Sequence, residues 1–229
     1  MKALYLILLL ASFSIPFAYS FEKKMRFINH WKIVFSSISI VAVVYIIWDV
    51  IFTKIGVWGF NPDYHLGISI FQLPLEEVLF FICIPYASIF IHYSLQYFFP
   101  KAKLSNKIVV PFTWSAIVFL LLLITFNTGK LYTQINAIFL AFALLLGLLN
   151  NSSTLHRFYI SYLVILIPFS IVNGVLTGSF ISEPVVWYNN AENLGIRFFT
   201  IPIEDFGYAF SMLFFSVILI ERFRTKTDE

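Results

Sequence analysis

Two copies of one acidic motif lie 128 positions apart in this 229-residue sequence. Residues 66–77 read LGISIFQLPLEE and residues 194–205 read LGIRFFTIPIED, and six of the twelve paired positions are identical. Both copies end in adjacent carboxylic acids, which are Glu76 and Glu77, and Glu204 and Asp205. Two carboxyl groups that share a low-dielectric site do not both ionise easily, so one can donate a proton and the other can accept one. We therefore expect these four residues to form a catalytic acid–base site.

A simpler explanation of each motif is the start of a helix. Proline fits the first helical position, and acidic residues in the first turn complement the helix dipole. Pro74 and Pro202 precede the acids accordingly. One copy would be explained in this way. Two matched copies that each lead into an apolar stretch favour a functional role, because carboxyl groups at the edge of a membrane span are costly unless they are paired or serve a site.

The aromatic residues that follow each motif predict which acid faces the interior. Phe80 follows Glu76 by four positions, and Tyr208 follows Glu204 by the same spacing. Residues four apart lie on one face of a helix. We therefore predict that Glu76 and Glu204 face the bundle axis, and that the second acid of each pair orients or tunes the first. The sequence leaves open which carboxyl group donates the proton.

Polar and aromatic residues near the ends of other apolar stretches are further candidates. Asp49 ends the second stretch, and Asn173 has a comparable place in the sixth. An acidic residue within a span indicates function by default, although Asp49 lies near enough to the edge to be a solvated carboxylate instead. Residues 61–65 read Asn-Pro-Asp-Tyr-His, which is typical of a turn and brings a tyrosine to the mouth of a site. The predicted substrate-binding residues are Trp48, Asp49, Asn61, Tyr64, Phe80, Asn173 and Tyr208.

The composition indicates that these residues belong to a membrane protein. The sequence is 60% hydrophobic and 12% charged, whereas a soluble domain carries roughly 25% charged residues. So large an apolar fraction excludes a soluble enzyme and a disordered chain. The net charge of +3 comes from basic residues spread along the whole chain, so we expect no nucleic-acid partner. The expected surrounding is the lipid bilayer.

Patterns typical of metal and nucleotide sites are missing from the sequence. The four histidines are scattered without the spacing of metal ligands, and the single cysteine, Cys83, lies in an apolar run. Glycine-rich nucleotide-binding motifs are absent as well. We therefore expect neither a metal ion nor a cofactor.

Seven apolar stretches are long enough to cross a bilayer, which takes about 20 residues. They cover roughly residues 3–20, 31–52, 73–98, 111–127, 132–149, 157–178 and 201–220. Stretches one to three and five to seven form two three-helix units, because each acidic motif begins the last stretch of its set. The unpaired fourth stretch makes the two units parallel. The predicted fold is an all-α integral membrane protein with repeats at 1–98 and 131–229 and a linking helix at 99–130.

The basic residues predict how the chain is oriented. With the N-terminus outside, eleven of the 15 Lys and Arg residues fall in the inner loops and the C-terminal tail, and four fall outside. The positive-inside rule then predicts a multi-pass protein of the cell (inner) membrane with a cytoplasmic C-terminus. A cleaved signal peptide is the alternative for residues 3–20, but its removal would leave the basic segment 23–26 outside.

The duplicated motif, the turn at residues 60–64 and the pair Trp48-Asp49 resemble the lycopene cyclase domain family, in the fused form of the heterodimer-type membrane lycopene β-cyclases. The resemblance extends over nearly the whole chain. It implies cyclisation of the linear ψ end groups of lycopene to β-ionone rings through a carbocation, with no redox change and no cofactor. It also implies an acid–base role for the four motif acids, a long apolar polyene as substrate, and contact with other enzymes of carotenoid biosynthesis.

Three alternatives stay open at the level of sequence. A related cyclase that makes ε- or γ-rings, or that acts on a C50 carotenoid, differs in which proton leaves. A proton-coupled membrane carrier would also need paired carboxyl groups, but carriers have polar residues deep in several spans, and here those positions are nearly all apolar. A non-catalytic scaffold accounts for each motif separately but not for the matched pair.

Overall fold

The computed structural model of the protein describes residues 2–150 and 152–227. The long apolar stretches within these ranges fold into helices, because only helices or closed barrels satisfy the backbone in a bilayer. The helices are α1 (Leu4–Tyr19), α2 (Trp31–Ile55), α3 (Leu75–Phe98), α4 (Asn106–Phe126), α5 (Leu131–Asn150), α6 (Ser152–Leu176) and α7 (Ile203–Thr227). A short 3₁₀ helix, Phe27–His30, precedes α2.

Six of these helices are long and apolar enough to cross a membrane, and α1, with 16 residues, is shorter. The predicted all-α, multi-pass membrane fold is confirmed. The helix limits differ from the predicted stretches by several residues, chiefly because α4 begins at Asn106 and α7 runs on to Thr227. Polar residues at these helix ends lack the apolar signal on which the predicted limits depend.

Short strands, which the apolar pattern of the sequence does not predict, lie at one end of the helix bundle. They are β1 (Trp58–Phe60), β2 (Ser69–Ile70), β3 (Leu73–Pro74), β4 (Val186–Tyr188), β5 (Arg197–Phe198) and β6 (Ile201–Pro202). The hairpins β2–β3 and β5–β6 each lead directly into a helix that begins with an acidic motif, α3 or α7. Strands of two or three residues are too short to give a period-two pattern in the sequence.

The two hairpins have the same backbone geometry. Leu75 N–H donates to the Ile68 carbonyl at 2.8 Å, and Ile203 N–H donates to the Ile196 carbonyl at 3.0 Å. Gly67 and Gly195 both have positive φ, at 82° and 72°. This left-handed conformation strongly favours glycine, which accounts for the Leu-Gly pair that opens both motifs.

Strands β1 and β4 pair across the two halves of the chain. Trp58 lies opposite Tyr188 and Gly59 opposite Trp187 in this antiparallel pair. The pairing continues symmetrically at both ends, since Asn61 N–H donates to Val185 O and the N–H of Asn189 to Val57 O, each at 2.8 Å. On these matched contacts we propose that the chain is a duplication with the predicted units 1–98 and 131–229, separated by the segment 99–130 that contains α4.

Aromatic side chains fill the space between α2, α5 and α7. The Trp48 ring lies 4.7 Å from that of Phe139 and 4.9 Å from that of Tyr208. The hydroxyls of Tyr45 and Ser211 are 2.7 Å apart and connect α2 to α7. Within lipid, helix association depends on such close packing and interhelical hydrogen bonds, because lipid tails are as apolar as the side chains.

Gly59 allows β1 to approach the indole ring of Trp187. A Cβ added at Gly59 would lie 2.4 Å from Trp187 Cζ2. We expect Gly59→Ala to destabilise the protein by about 1–3 kcal/mol, because overpacking forces the ring or the strand to shift. Thermal unfolding in detergent measures this change.

A matched double variant separates the steric clash from other effects. Trp187→Ala removes the ring, so adding Gly59→Ala to it should leave the unfolding midpoint at the value of Trp187→Ala alone. Equal losses from Gly59→Ala in both backgrounds would contradict the steric explanation.

Candidate active site

Three carboxylic acids line one cavity at the end of the bundle where α1, α3, α5 and α7 begin. They are Asp49, Glu77 and Asp205, and their residues are only 2%, 8% and 5% exposed. The cavity has a volume of about 70 Å³. We call it the acid cavity. The remainder of its wall is mostly apolar or aromatic, so the three carboxyl groups are held in a medium of low dielectric.

Each half of the chain supplies a tyrosine that donates to its motif acid. Tyr5, at the start of α1, donates to Glu77 Oε2 at 2.5 Å. Tyr132, at the start of α5, donates to Asp205 Oδ1 at 2.6 Å. Both tyrosines belong to a Leu-Tyr pair, and the two pairs are 127 positions apart. The repeated Leu-Tyr pair is visible in the sequence and identifies the two donors, which the acidic motifs alone do not indicate.

The two motif acids differ in how many other donors they meet. Asp205 Oδ2 accepts hydrogen bonds from Asn173 Nδ2 at 2.8 Å and from the Tyr188 hydroxyl at 3.0 Å. With Tyr132, three side chains therefore donate to this carboxylate. Burial raises the pKa of Tyr188 well above its ordinary value, and the negative charge of Asp205 raises it further, so Tyr188 remains a donor.

The third acid, Asp49, is held by the indole of β1. Its Oδ1 accepts hydrogen bonds from Trp58 Nε1 at 2.5 Å and from Thr53 Oγ1 at 3.3 Å. Its Oδ2 is buried without a hydrogen-bond partner in the described part of the chain. A buried carboxyl oxygen without a donor is more easily accommodated when the group is protonated. Trp58 was not among the predicted residues because its strand was not predicted.

The structure places the second acid of each pair in the acid cavity, and not the first as we expected, although all four acids are buried. Glu76 Oε1 accepts the backbone N–H of Leu66 at 2.7 Å, and Glu204 Oε1 accepts that of Leu194 at 2.7 Å. Neither glutamate lines the acid cavity. Each instead fastens the hairpin before its helix, which matches the repeated backbone geometry.

The prediction was wrong because helical spacing does not separate the two acids of a pair. Phe80 and Tyr208 do line the acid cavity. However, they lie three residues after Glu77 and Asp205, and residues three apart share a helix face just as residues four apart do. The first acid of each pair accepts a loop N–H instead, and this contact is not visible from the helix alone.

The other predicted substrate-binding residues separate into two groups. Asp49, Phe80, Asn173 and Tyr208 line the acid cavity, and Trp48, Asn61 and Tyr64 do not. Trp48 packs among the aromatic rings between α2, α5 and α7. Asn61 Oδ1 accepts the N–H of Asp63 at 3.0 Å within its turn, and the Tyr64 hydroxyl lies 3.2 Å from Ser182 Oγ. A role in substrate binding stays a prediction for both groups.

Aromatic rings surround the three acids. The rings of Trp58 and Tyr132 are 5.1 Å apart, and those of Tyr132 and Tyr188 stack at 6.0 Å. Tyr208 and Phe169 complete this part of the wall. Ring faces attract cations by about 0.5–2 kcal/mol each, and more strongly where water is excluded. The cavity therefore combines proton donors and acceptors with a lining that stabilises a positive charge.

Among residues 2–150 and 152–227, no three His, Cys, Asp or Glu side chains form a group able to hold a metal ion. The chemistry that the acid cavity offers through its own side chains is proton transfer to and from an apolar molecule.

Comparison with known protein families gives one match, to the family described as Lycopene cyclase. The family model matches residues 2–95 and again residues 129–223. Each matched range contains one acidic motif and its tyrosine donor. Comparisons with curated proteins and with solved structures give no match. The chain therefore belongs to the lycopene cyclase family, and its role is that of a carotenoid cyclase.

Proposed function

We propose that the protein is a lycopene β-cyclase-like enzyme that isomerises the ψ end groups of lycopene to β-ionone rings by acid–base catalysis. One observation carries the proposal: Glu77 and Asp205, from equivalent positions of the two motifs, line the same buried apolar cavity. Membership of the lycopene cyclase family supports the substrate class. The apolar helices support a membrane location, where lycopene would be dissolved.

The reaction requires one proton to enter the substrate and one to leave it. A carboxylic acid adds a proton to the terminal double bond and leaves a tertiary carbocation. The neighbouring double bond attacks this cation, which closes the ring through a new carbon–carbon bond and moves the positive charge onto the ring. A carboxylate then removes a ring proton, and the electrons of that C–H bond form the ring double bond. No electrons are gained or lost overall.

The unequal surroundings of the two motif acids suggest their separate tasks. Asp205 accepts three hydrogen bonds, which stabilise its anion and suit it to act as the base. Glu77 accepts one described hydrogen bond, from Tyr5, and shares the cavity with Asp49. Two carboxyl groups that share a low-dielectric cavity favour a state in which one of them keeps its proton. We assign the proton donor to the Glu77–Asp49 pair.

The ring cation would form against the aromatic wall of the acid cavity. Trp58, Tyr188 and Tyr208 contribute π faces there, and stabilisation aimed at the developing charge is the largest single contribution in many enzymes. The nearest alternative is a cyclase that makes ε- or γ-rings or acts on a C50 carotenoid. It would use the same acids and differ in which ring proton reaches the base.

The proposal includes the orientation predicted from the basic residues. The acid cavity lies at the end of the bundle where α1 and α5 begin, and the charge distribution favours the outer side of the cell (inner) membrane for that end. Contact with other enzymes of carotenoid biosynthesis stays a prediction. Such a contact would deliver the insoluble substrate directly to this protein.

Expression in a bacterial host that accumulates lycopene tests the activity directly. We expect cyclised pigment, γ-carotene or β-carotene, when extracted pigments are separated by chromatography. ε- or γ-ring products would favour the related cyclase. Unchanged lycopene beside a correctly inserted protein would refute the cyclase, and carboxylate-dependent proton flux in vesicles would then favour a carrier.

Neutral amides at the two motif acids of the cavity, Glu77 and Asp205, should strongly reduce turnover. We expect Glu77→Gln and Asp205→Asn each to lower the cyclisation rate by about 10²–10⁴-fold, the usual contribution of a positioned acid or base. Rates are measured on membranes that contain equal amounts of protein.

The adjacent motif acids provide matched controls for this experiment. Glu76→Gln and Glu204→Gln remove the same charge one residue away, and the amide oxygen can still accept the loop N–H. We expect both to remain active. Full activity in Glu77→Gln or Asp205→Asn would exclude that residue from the chemistry, and inactive but folded Glu76→Gln would return the role to the first acid.

Solvent deuterium should mark the protonation step. Unlabelled lycopene converted by membranes in D₂O should acquire a single deuterium per ring, because the donor carboxyl exchanges with solvent before it protonates the double bond. Mass spectrometry of the product measures the label, with the reaction in H₂O as control. Rings formed without deuterium would contradict proton addition from an exchangeable group.

A further inference from the structure

An open groove lies between α1, α3 and α6 on the outer surface of the bundle. Its volume is about 420 Å³, and its walls are almost entirely apolar. Ile15 on α1 and Ile171 on α6 border it, and both are 65% exposed. Exposed apolar residues on such a membrane-spanning surface face lipid. We call this feature the α1–α3–α6 groove.

The groove and the acid cavity lie next to each other. Six residues line both of them, on α3 and α6: Phe80, Ile84, Ser88, Ile165, Phe169 and Asn173. Asn173 is also a hydrogen-bond donor to Asp205. A molecule that lies in the groove therefore contacts side chains that also line the acid cavity.

The acid cavity by itself is too small to contain a forming ring. Its volume is about 70 Å³, whereas an engineered cavity that binds benzene in another protein has a volume of about 150 Å³. A substituted six-membered ring is larger than benzene. A ring that forms at the acids would therefore extend beyond the acid cavity, and the adjoining groove offers apolar space for it.

The duplication predicts an equivalent groove between α5, α7 and α2. Matched residues align three pairs of helices. Tyr5 and Tyr132 align α1 with α5, the acidic motifs align α3 with α7, and Asp49 and Asn173 align α2 with α6. At three of the aligned positions, a small or aliphatic residue that lines the open groove has an aromatic counterpart in the other repeat. The pairs are Ser12 with Phe139, Ala87 with Phe215, and Val172 with Trp48.

The three aromatic counterparts fill the second location. The ring of Phe139 lies 4.7 Å from that of Trp48 and 6.5 Å from that of Phe215. They belong to the packed cluster between α2, α5 and α7, in which Trp48 is 5% exposed. The two repeats have thus diverged, so that one location is packed and the other is open.

We propose that the α1–α3–α6 groove binds the polyene tail of the carotenoid, and that the substrate reaches the acids from the membrane through this groove. The proposal rests on the proposed function for the identity of the ligand. Beyond the proposed function, it assigns a binding site for the tail and a direction of approach from the lipid. It also implies that each protein molecule binds one carotenoid tail. A conjugated hydrocarbon chain fits because an apolar wall offers it contact without desolvating polar groups.

Filling the groove with the aromatic residues of the other repeat tests this proposal. Ser12→Phe and Ala87→Phe copy Phe139 and Phe215 at the aligned positions. In an apolar pocket, a mismatch of one methylene between pocket and substrate changes the efficiency of turnover by about 10- to 200-fold. We therefore expect each variant to lower lycopene turnover at least about tenfold. Ala11→Phe narrows the groove from an exposed position and avoids any change in buried packing.

Lipid-facing residues outside the groove provide the matched controls. Ile7→Phe on α1 and Ile167→Phe on α6 add similar bulk at positions that are 57% and 65% exposed. Both control variants should cyclise lycopene at the wild-type rate. Thermal unfolding in detergent verifies that the groove variants are folded.

Binding is measured separately, so that this proposal and the proposed function can fail independently. Lycopene retained on detergent-purified Glu77→Gln protein is quantified by absorbance. Adding Ala87→Phe or Ala11→Phe should reduce retention at least about tenfold, whereas adding Ile7→Phe should not. A wild-type protein that does not cyclise lycopene refutes the proposed function. Active, lycopene-retaining Ala11→Phe and Ala87→Phe variants would show that the groove holds membrane lipid only and would overturn the tail site.

Discussion

Carboxyl groups buried among apolar helices need hydrogen-bond donors, and this requirement determines how the bundle is assembled. The motif acid that begins the last helix of each repeat receives its donor from the first helix of the same repeat, through Tyr5 and Glu77 or Tyr132 and Asp205. An acidic residue inside a bilayer costs about 2.5–3.5 kcal/mol on insertion scales. The tyrosine hydrogen bonds offset part of this cost and bring the helix starts together around one cavity.

The features that sequence could predict are those with a local cause. Apolar runs of about 20 residues mark membrane helices, and an acidic pair after proline marks the start of one, so α3 and α7 are identifiable from the sequence alone. The repeat of the motif also predicts that both acids lie at the same end of the bundle. Family membership follows from the same residues.

The features that sequence could not predict depend on contacts between distant segments. Glu77 rather than Glu76 lines the acid cavity, and Glu76 instead accepts the N–H of Leu66, ten residues earlier in the chain. Trp58 and Tyr188 reach the cavity through a strand pair that joins the two halves of the chain. Such pairing leaves no periodic pattern in segments this short. By contrast, the repeated Leu-Tyr pair is visible in the sequence and identifies Tyr5 and Tyr132.

Divergence between the repeats explains how a symmetric duplication can support a reaction that is not symmetric. An exact duplicate would offer two identical acids, although cyclisation needs one group that holds a proton and one that does not. In the second repeat Asn173 stands where the first has Asp49, and Tyr188 where it has Phe60. Both differences add a donor to Asp205. Matched residues such as Gly67 and Gly195 give the two hairpins one backbone geometry, and the differing residues Asn173 and Tyr188 make the surroundings of the two acids unlike.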